Sequence, residues 1–193
     1  KNCLISLRKA YEDAGNDFKA AETLEQQNEI YPNPEEYNLI GVYYHNSGNR
    51  DKAIDFFERA LDHNPNDYWA NFNLGNTLFY RDLKRARQYL NKAYELNPFE
   101  PCINILLGRL DKREGKESEA KEKFQIAYDK YEQKWKANLF YNSDYGWFAS
   151  VAEELGKKDK AYEIRSAKPK IEQTTYYDEE NLTQTRTKSL TIL

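Results

Sequence analysis

A pattern of small, aromatic and proline residues recurs along the chain about every 34 residues. The clearest copy has Tyr37, Ile40, Gly41, Tyr44, Gly48, Ala53, Phe57, Ala60 and Pro65. The next copy has Asn71, Leu74, Gly75, Leu78, Ala86, Leu90, Ala93 and Pro98. A period of this length is typical of stacked helical hairpins rather than of a closed globule. The pattern therefore predicts an all-α array in which each hairpin contacts its neighbours in the chain.

The small residues of the pattern predict two features of each hairpin. Gly41, Gly75 and Gly108 fall where a first helix must lie against its own second helix, and small residues let the two backbones approach. A second set of glycines falls between the paired helices, where a left-handed C-cap is needed. This set consists of Gly15, Gly48, Gly115 and Gly156. The sequence thus predicts both the helix pairs and the turns that join them.

In these positions the chain resembles the tetratricopeptide-repeat (TPR) family. Five copies are predicted, at residues 1–33, 34–67, 68–100, 101–141 and 142–169, with a Thr-rich extended tail at 170–193. The resemblance implies a right-handed α-solenoid, that is, a superhelix whose first helices line a concave face. It also implies a non-enzymatic scaffold that binds a peptide or protein segment on that face. Arg8 and Arg165 depart from the pattern, so the outer faces of the end copies are expected to meet solvent or to lack a neighbour.

The fourth copy carries extra residues before the fifth begins. Its apolar residues recur at helical spacing, and charged residues occupy the positions between them. We therefore expect its second helix to run long, through Tyr128, Tyr131, Trp135 and Phe140. The default interpretation of such a helix is one buried face and one solvated face.

Composition argues against two classes of partner. The chain is 32% charged and 39% hydrophobic, its mean hydropathy is -0.99, and no apolar stretch approaches the roughly 20 residues of a membrane span. A formal net charge of -3 argues against general nucleic-acid binding, which requires a marked basic excess. We therefore expect no nucleic-acid partner and no direct membrane insertion.

The residues that carry enzyme chemistry do not form a recognisable site in the sequence. Cys3 and Cys102 lie about three repeats apart, so a disulfide or a Cys-based metal site is not expected. Free thiols favour a reducing compartment such as the cytoplasm, and a periplasmic location stays open. His45 and His63 fall in different helices without ligand-spaced partners. We expect no enzyme activity, no cofactor and no metal.

The predicted peptide-binding site lies on the first helices of successive copies. In the third copy a stripe from Trp69 to Phe79 recurs at i, i+3, i+7 and i+10, apart from the core stripe. The equivalent stripe of the fourth copy is basic, and that of the second is Glu35, Asn38, Val42 and His45. The predicted site comprises Trp69, Phe72, Asn73, Asn76, Phe79, Arg109, Lys112 and Arg113. Packing of the aromatic residues against an adjacent hairpin stays open as the alternative.

Two other functions also stay open. The sequence contains no methionine, so we expect a segment of a longer protein, and the array would then be the accessory domain of a larger enzyme or signalling protein. Residues 182–193 are rich in β-branched side chains with alternating character, which favours an extended conformation. We expect this tail to lie on a repeat surface of its own chain or of a neighbour. In the second case the chain is a homo-oligomer and acts as a structural oligomerisation module.

Overall fold

A computed structural model describes residues 2–167, which contain ten α-helices, one short 3₁₀ helix and no β-strand. The α-helices are α1 Asn2–Asp13, α2 Asp17–Ile30, α3 Tyr37–Asn46, α4 Arg50–His63, α5 Tyr68–Leu78, α6 Leu83–Leu96, α7 Pro101–Arg113, α8 Glu117–Lys136, α9 Asn142–Glu154 and α10 Lys158–Ala167. The 3₁₀ helix is Pro34–Glu36. The predicted tail at 170–193 lies outside the described residues. The chain divides into two compact units, unit 1 up to residue 96 and unit 2 from residue 97 onward.

Each unit is a stack of helical hairpins. In unit 1 the pairs α1–α2, α3–α4 and α5–α6 follow one another, with α2 against α3 and α4 against α5. In unit 2 the pairs α7–α8 and α9–α10 stack through α8 and α9. First helices also meet, α3 with α5 in unit 1 and α7 with α9 in unit 2. The predicted all-α fold class, with the hairpin stacking of an α-solenoid, is confirmed within each unit.

The close helix contacts predicted at the small positions are confirmed. A Cβ atom added to Gly41 would lie only 2.5 Å from Cε1 of Phe57, a fully buried side chain of α4. The same close contact pairs Gly75 with Leu90 and Gly108 with Phe124. In each of these three hairpins, one large side chain occupies the space that a first-helix side chain would otherwise fill.

The turns within the hairpins are confirmed where glycine was predicted. Gly15, Gly48, Gly115 and Gly156 all have positive φ, between 66° and 83°. The α5–α6 turn has no such glycine, and there the N–H groups of Arg81 and Asp82 both donate to the Leu78 carbonyl at 2.9 Å. The second helices of unit 1 begin at side-chain caps, as where Asn16 Oδ1 accepts from the Lys19 N–H at 3.1 Å.

The long second helix of the fourth copy is shorter than predicted. Helix α8 has 20 residues and ends at Lys136, so Phe140 lies outside it, and this part of the prediction is wrong. Asn138 has a φ of 54°, which turns the chain back and brings Phe140 onto Trp135, with ring centroids 5.2 Å apart. We call the resulting cluster the aromatic corner: Tyr128, Tyr131, Trp135, Phe140, Tyr145 and Phe148. The surplus residues thus become part of the unit 2 core.

The two residues that depart from the repeat pattern have different surroundings. Arg165 of α10 is exposed and pairs with Glu153 of α9, in agreement with a hairpin whose outer face meets solvent. Arg8 of α1 is only 12% exposed in its side chain and pairs with Glu12 at 3.0 Å. Arg8 is thus largely covered whereas Arg165 is exposed, and the expectation about the outer faces of the end copies stays a prediction.

Candidate functional site

Helices α3 and α5 of unit 1 are joined side by side by two side-chain hydrogen bonds. Asn73 Nδ2 donates to Asn38 Oδ1 at 3.1 Å. One to two turns further along, His45 Nδ1 lies 2.9 Å from Thr77 Oγ1. Both bonds connect equivalent first helices of successive hairpins, so they mark one common face of the pair.

This common face is a continuous, partly accessible surface. On α3 the face comprises Asn38 and the residues four and seven positions after it. On α5 it comprises Trp69 and the residues at the same spacing. We call this surface the α3–α5 wall. Its six side chains are all half-buried: Asn38, Val42, His45, Trp69, Asn73 and Asn76. Side chains in this state are held by packing on one side and remain reachable from the other.

The α3–α5 wall carries no formal charge at neutral pH. Neither α3 nor α5 contains Asp, Glu, Lys or Arg, whereas α1, α7 and α9 all contain charged residues. Burial, and secondarily the nearby charge of Arg50, lower the pKa of His45 below its usual value of 6.5. The lowered pKa favours the neutral imidazole at pH 7, so the wall presents uncharged polar groups and apolar groups.

The hydrogen-bond pattern also fixes the tautomer of His45. The single hydroxyl hydrogen of Thr77 is donated to the Asn73 carbonyl at 2.7 Å. Thr77 Oγ1 must then accept from His45, so Nδ1 carries the ring hydrogen and Nε2 is the acceptor nitrogen. Thr77 thereby positions the imidazole and links it to the backbone of α5.

The lowered pKa of His45 predicts that unit 1 loses stability in mild acid. Because the folded pKa lies below the unfolded one, the unfolded chain binds more protons as the pH falls below about 6.5, and the native state is penalised progressively. We expect urea unfolding at pH 7.5 and pH 5 to show a larger loss for the wild type than for His45→Gln. The matched control is His63→Gln, at an exposed position of α4. An unchanged pH profile in His45→Gln would contradict the assignment.

The aromatic part of the predicted site is only partly accessible. Trp69 is half-buried, with its ring edge-on to Tyr68 at 4.8 Å and to Phe72 at 6.1 Å between centroids. Phe72 and Phe79 are buried, with exposed fractions of 6% and 4%. Of the three predicted aromatic residues, Trp69 is therefore the one with substantial accessible surface, and Phe72 supports it from behind.

The basic part of the predicted site lies in unit 2 and is partly neutralised. Arg109 Nε and Lys112 Nζ donate to the two oxygens of Glu154 in α9, at 3.0 and 3.1 Å. Arg109 also donates to Ser150. Arg113, the last residue of α7, is exposed. Two of the three predicted cations thus share one carboxylate and link α7 to α9.

Several residues of the wall were not among the predicted site residues. Asn38, Val42 and His45 could have been found, because they form the stripe of the second copy that corresponds to the chosen stripe of the third. Thr77 gave no such signal, since its role depends on a contact with α3. The pairing of Glu154 with Arg109 could not be predicted from a pattern within one helix either, because it joins α9 to α7.

A second polar cluster of unit 1 serves packing rather than ligand binding. Tyr44 of α3 donates to Glu25 of α2, and Lys52 of α4 donates to both, at 2.9 Å to the phenol and 3.0 Å to the carboxylate. Burial, reinforced by the hydrogen bond to Glu25, raises the pKa of Tyr44 to about 12. The cluster therefore joins three helices with the phenol in its neutral form.

Within residues 2–167 there is no group of three or more His, Cys, Asp or Glu side chains arranged to hold a metal ion. Cys3 is exposed and Cys102 is buried, and no disulfide joins them. None of the helices in the same part of the chain is sufficiently long and apolar to cross a membrane.

Comparison with known proteins identifies the repeat. Two family models described as tetratricopeptide repeat match residues 34–67 and residues 56–90. Among solved structures, a MamA protein has 18% identity and a TM-score of 0.62, covering 86% of this chain and 87% of that one. MamA from Desulfovibrio magneticus RS-1 has 17% identity and a TM-score of 0.62, with 86% and 90% covered. MamA AMB-1 has 22% identity and a TM-score of 0.56, with 86% and 95% covered.

The fold and the α3–α5 wall define a helical-repeat protein with a partly accessible, uncharged surface on its first helices. The likeness to the MamA structures, at these identities, concerns the fold alone. The matched part of the chain, residues 34–67 and 56–90, is of the tetratricopeptide-repeat type. Repeats of this type support the role of a protein-interaction scaffold.

Proposed function

We propose that the protein is a non-enzymatic scaffold that binds an extended protein segment along the α3–α5 wall of unit 1. The main observation that supports this proposal is that α3 and α5, two adjacent first helices, contain no Asp, Glu, Lys or Arg. The two helices are joined through the side-chain amides of Asn38 and Asn73. A surface of amides and half-buried apolar groups suits a peptide backbone, because it offers hydrogen bonds without the cost of desolvating a charge.

The two asparagines supply the hydrogen-bonding capacity. Their mutual bond uses one hydrogen of Asn73 Nδ2 and one lone pair of Asn38 Oδ1. Each side-chain amide has two donor hydrogens and two acceptor lone pairs, so the Asn38 NH₂ group and the Asn73 oxygen retain capacity for a ligand carbonyl and a ligand N–H. Because the bond between them already fixes both side chains, little further side-chain entropy is lost on binding.

Trp69 supplies the apolar anchor of the proposed site. Its ring is held in a defined orientation by Tyr68 and Phe72, yet it remains half-exposed. Aromatic side chains that are rigid before binding are frequent hot spots of protein interfaces. Asn76 continues the same face of α5 from Trp69 and Asn73, so a bound segment would run along the helix axis.

The basic residues of unit 2 have an accessory role in this proposal. Arg109 and Lys112 are neutralised in part by Glu154. Lys112 and Arg113 are nevertheless exposed, and within unit 2 they form the basic part of the predicted site. Phe72 and Phe79 act by supporting the wall, since both are buried. Binding therefore depends first on the α3–α5 wall.

The proposal is tested by placing a charge on the wall. Asn76→Lys adds a cation at a half-buried wall position, and Asn91→Lys adds the same cation on the exposed face of α6. Partners captured from a cell extract of the source organism are compared by quantitative mass spectrometry. We expect Asn76→Lys to lose partners that the wild type and Asn91→Lys retain, with equal thermal unfolding of both variants. Identical partner sets for all three proteins would rule out the wall as the binding site.

A further inference from the structure

The charge-free wall of unit 1 is matched in chemistry by one segment of the same chain. We propose that residues 182–193 are a ligand of the α3–α5 wall, an inference that rests on the function proposed above. The segment lies outside the described residues, so the argument uses its sequence and the geometry of the wall.

The sequence of the segment predicts an extended ligand that has basic side chains and no acidic ones. Residues 182–193 contain no Asp, Glu, Gly or Pro and four threonines. The absence of Gly and Pro, and the threonine content, favour extended backbone. In that conformation Arg186, Lys188, Leu190 and Ile192 share one face, because side chains two residues apart point the same way. The segment thus offers an apolar pair, two cations on the same face and a regular series of backbone amides.

These features fit what the wall offers. Trp69 presents a half-exposed ring to an apolar pair, and Asn38 and Asn73 retain donor and acceptor capacity for a backbone. The segment brings no carboxylate side chain, so none has to be desolvated on a surface that has no cation to receive it.

Charge complementarity points the same way. Residues 1–96 hold 12 Lys and Arg against 15 Asp and Glu, a formal charge of -3, while residues 182–193 carry Arg186 and Lys188 as their charged side chains. One of these carboxylates, Glu35, is exposed and lies three residues before Asn38 in the sequence, next to the start of the wall. A basic extended segment is therefore steered toward unit 1.

The segment is joined to the repeats by a long tether. The 14 residues from 168 to 181 can span up to about 50 Å when extended. A tether of this length holds the segment at a high effective concentration near any wall within its span, on the same chain or on a second chain, so that the segment competes there with an external ligand.

The test uses the full chain and a synthetic peptide. A fluorescein-labelled peptide of residues 182–193 is titrated, by fluorescence anisotropy, with wild-type chain and with Leu190→Asp/Ile192→Asp, which disables the internal segment. We expect the disabled chain to bind the peptide, and the wild type to bind it at least about tenfold more weakly because its own segment competes. A peptide with the same two Asp substitutions should not bind.

Two further variants place the binding on the wall. Asn76→Lys in the disabled chain should abolish peptide binding, whereas Asn91→Lys in the same chain should preserve it. If the peptide fails to bind the disabled chain, or binds regardless of Asn76→Lys, the inference is overturned. The proposed function then still stands if Asn76→Lys loses cellular partners. Light scattering on the wild type distinguishes the two ways in which the segment can bind. A monomer indicates binding within one chain, and a dimer indicates that each chain binds the segment of the other.

Discussion

Replacing Phe57 by alanine should lower the free energy of unfolding by about 3–5 kcal/mol. Phe57 is fully buried and fills the space between α3 and α4, directly against Gly41. Because Gly41 has no side chain, nothing nearby can move in to replace the lost ring, and a cavity remains. Urea unfolding followed by circular dichroism measures the loss.

Two further variants test whether the loss has this cause. Phe99→Ala removes an equally large side chain that is 81% exposed, and its effect should stay within about 0.5 kcal/mol. Gly41→Ala should destabilise the wild type, because its Cβ would lie 2.5 Å from the Phe57 ring, but should cost much less in the Phe57→Ala background. Strictly additive effects of the two changes would show that Gly41 and Phe57 do not act as a packed pair.

Alanine at two glycines of unit 2 has opposite effects on stability. In Gly108→Ala the new Cβ would lie 2.7 Å from Phe124 and 3.2 Å from the Ala120 carbonyl oxygen, so we expect a loss of about 1–3 kcal/mol. In Gly146→Ala no atom lies within 4 Å of the added Cβ, and the gain in helix propensity should stabilise α9 by about 0.5–1 kcal/mol.

The pair is informative because both glycines lie inside helices of the same unit, and they differ in what faces them. Thermal unfolding of each single variant gives the sign directly. Equal effects of the two substitutions would mean that the α7–α8 contact can relax around a methyl group. That result would remove the physical reason for a small residue at this position of the repeat.

The fold was predictable because its determinants recur. Glycine at a hairpin turn or at a helix contact has a local reason, and the same reason appears in each copy. Gly48 and Gly115 adopt positive φ for the same cause, and Gly41 and Gly108 face equivalent aromatic rings. A requirement repeated along the chain is visible in one sequence without knowledge of the tertiary structure.

The candidate site was less predictable because it depends on pairs. A helical stripe tells which side chains share a face, but not which of them are covered or neutralised by another helix. Phe72 is buried and Arg109 shares Glu154 with Lys112, and neither fact follows from spacing within α5 or α7. Likewise, the left-handed backbone at Asn138, which sends Phe140 back to Trp135, has no signal as strong as glycine.

The aromatic corner has a consequence for how such arrays accommodate insertions. Residues beyond the usual repeat length are absorbed where α8 gives way to α9, and their rings join the interior instead of forming a protruding loop. The following hairpin can therefore stack normally although the spacing of the sequence pattern has slipped. The repeat period of the sequence is therefore out of phase on the two sides of this junction, although the packing continues across it.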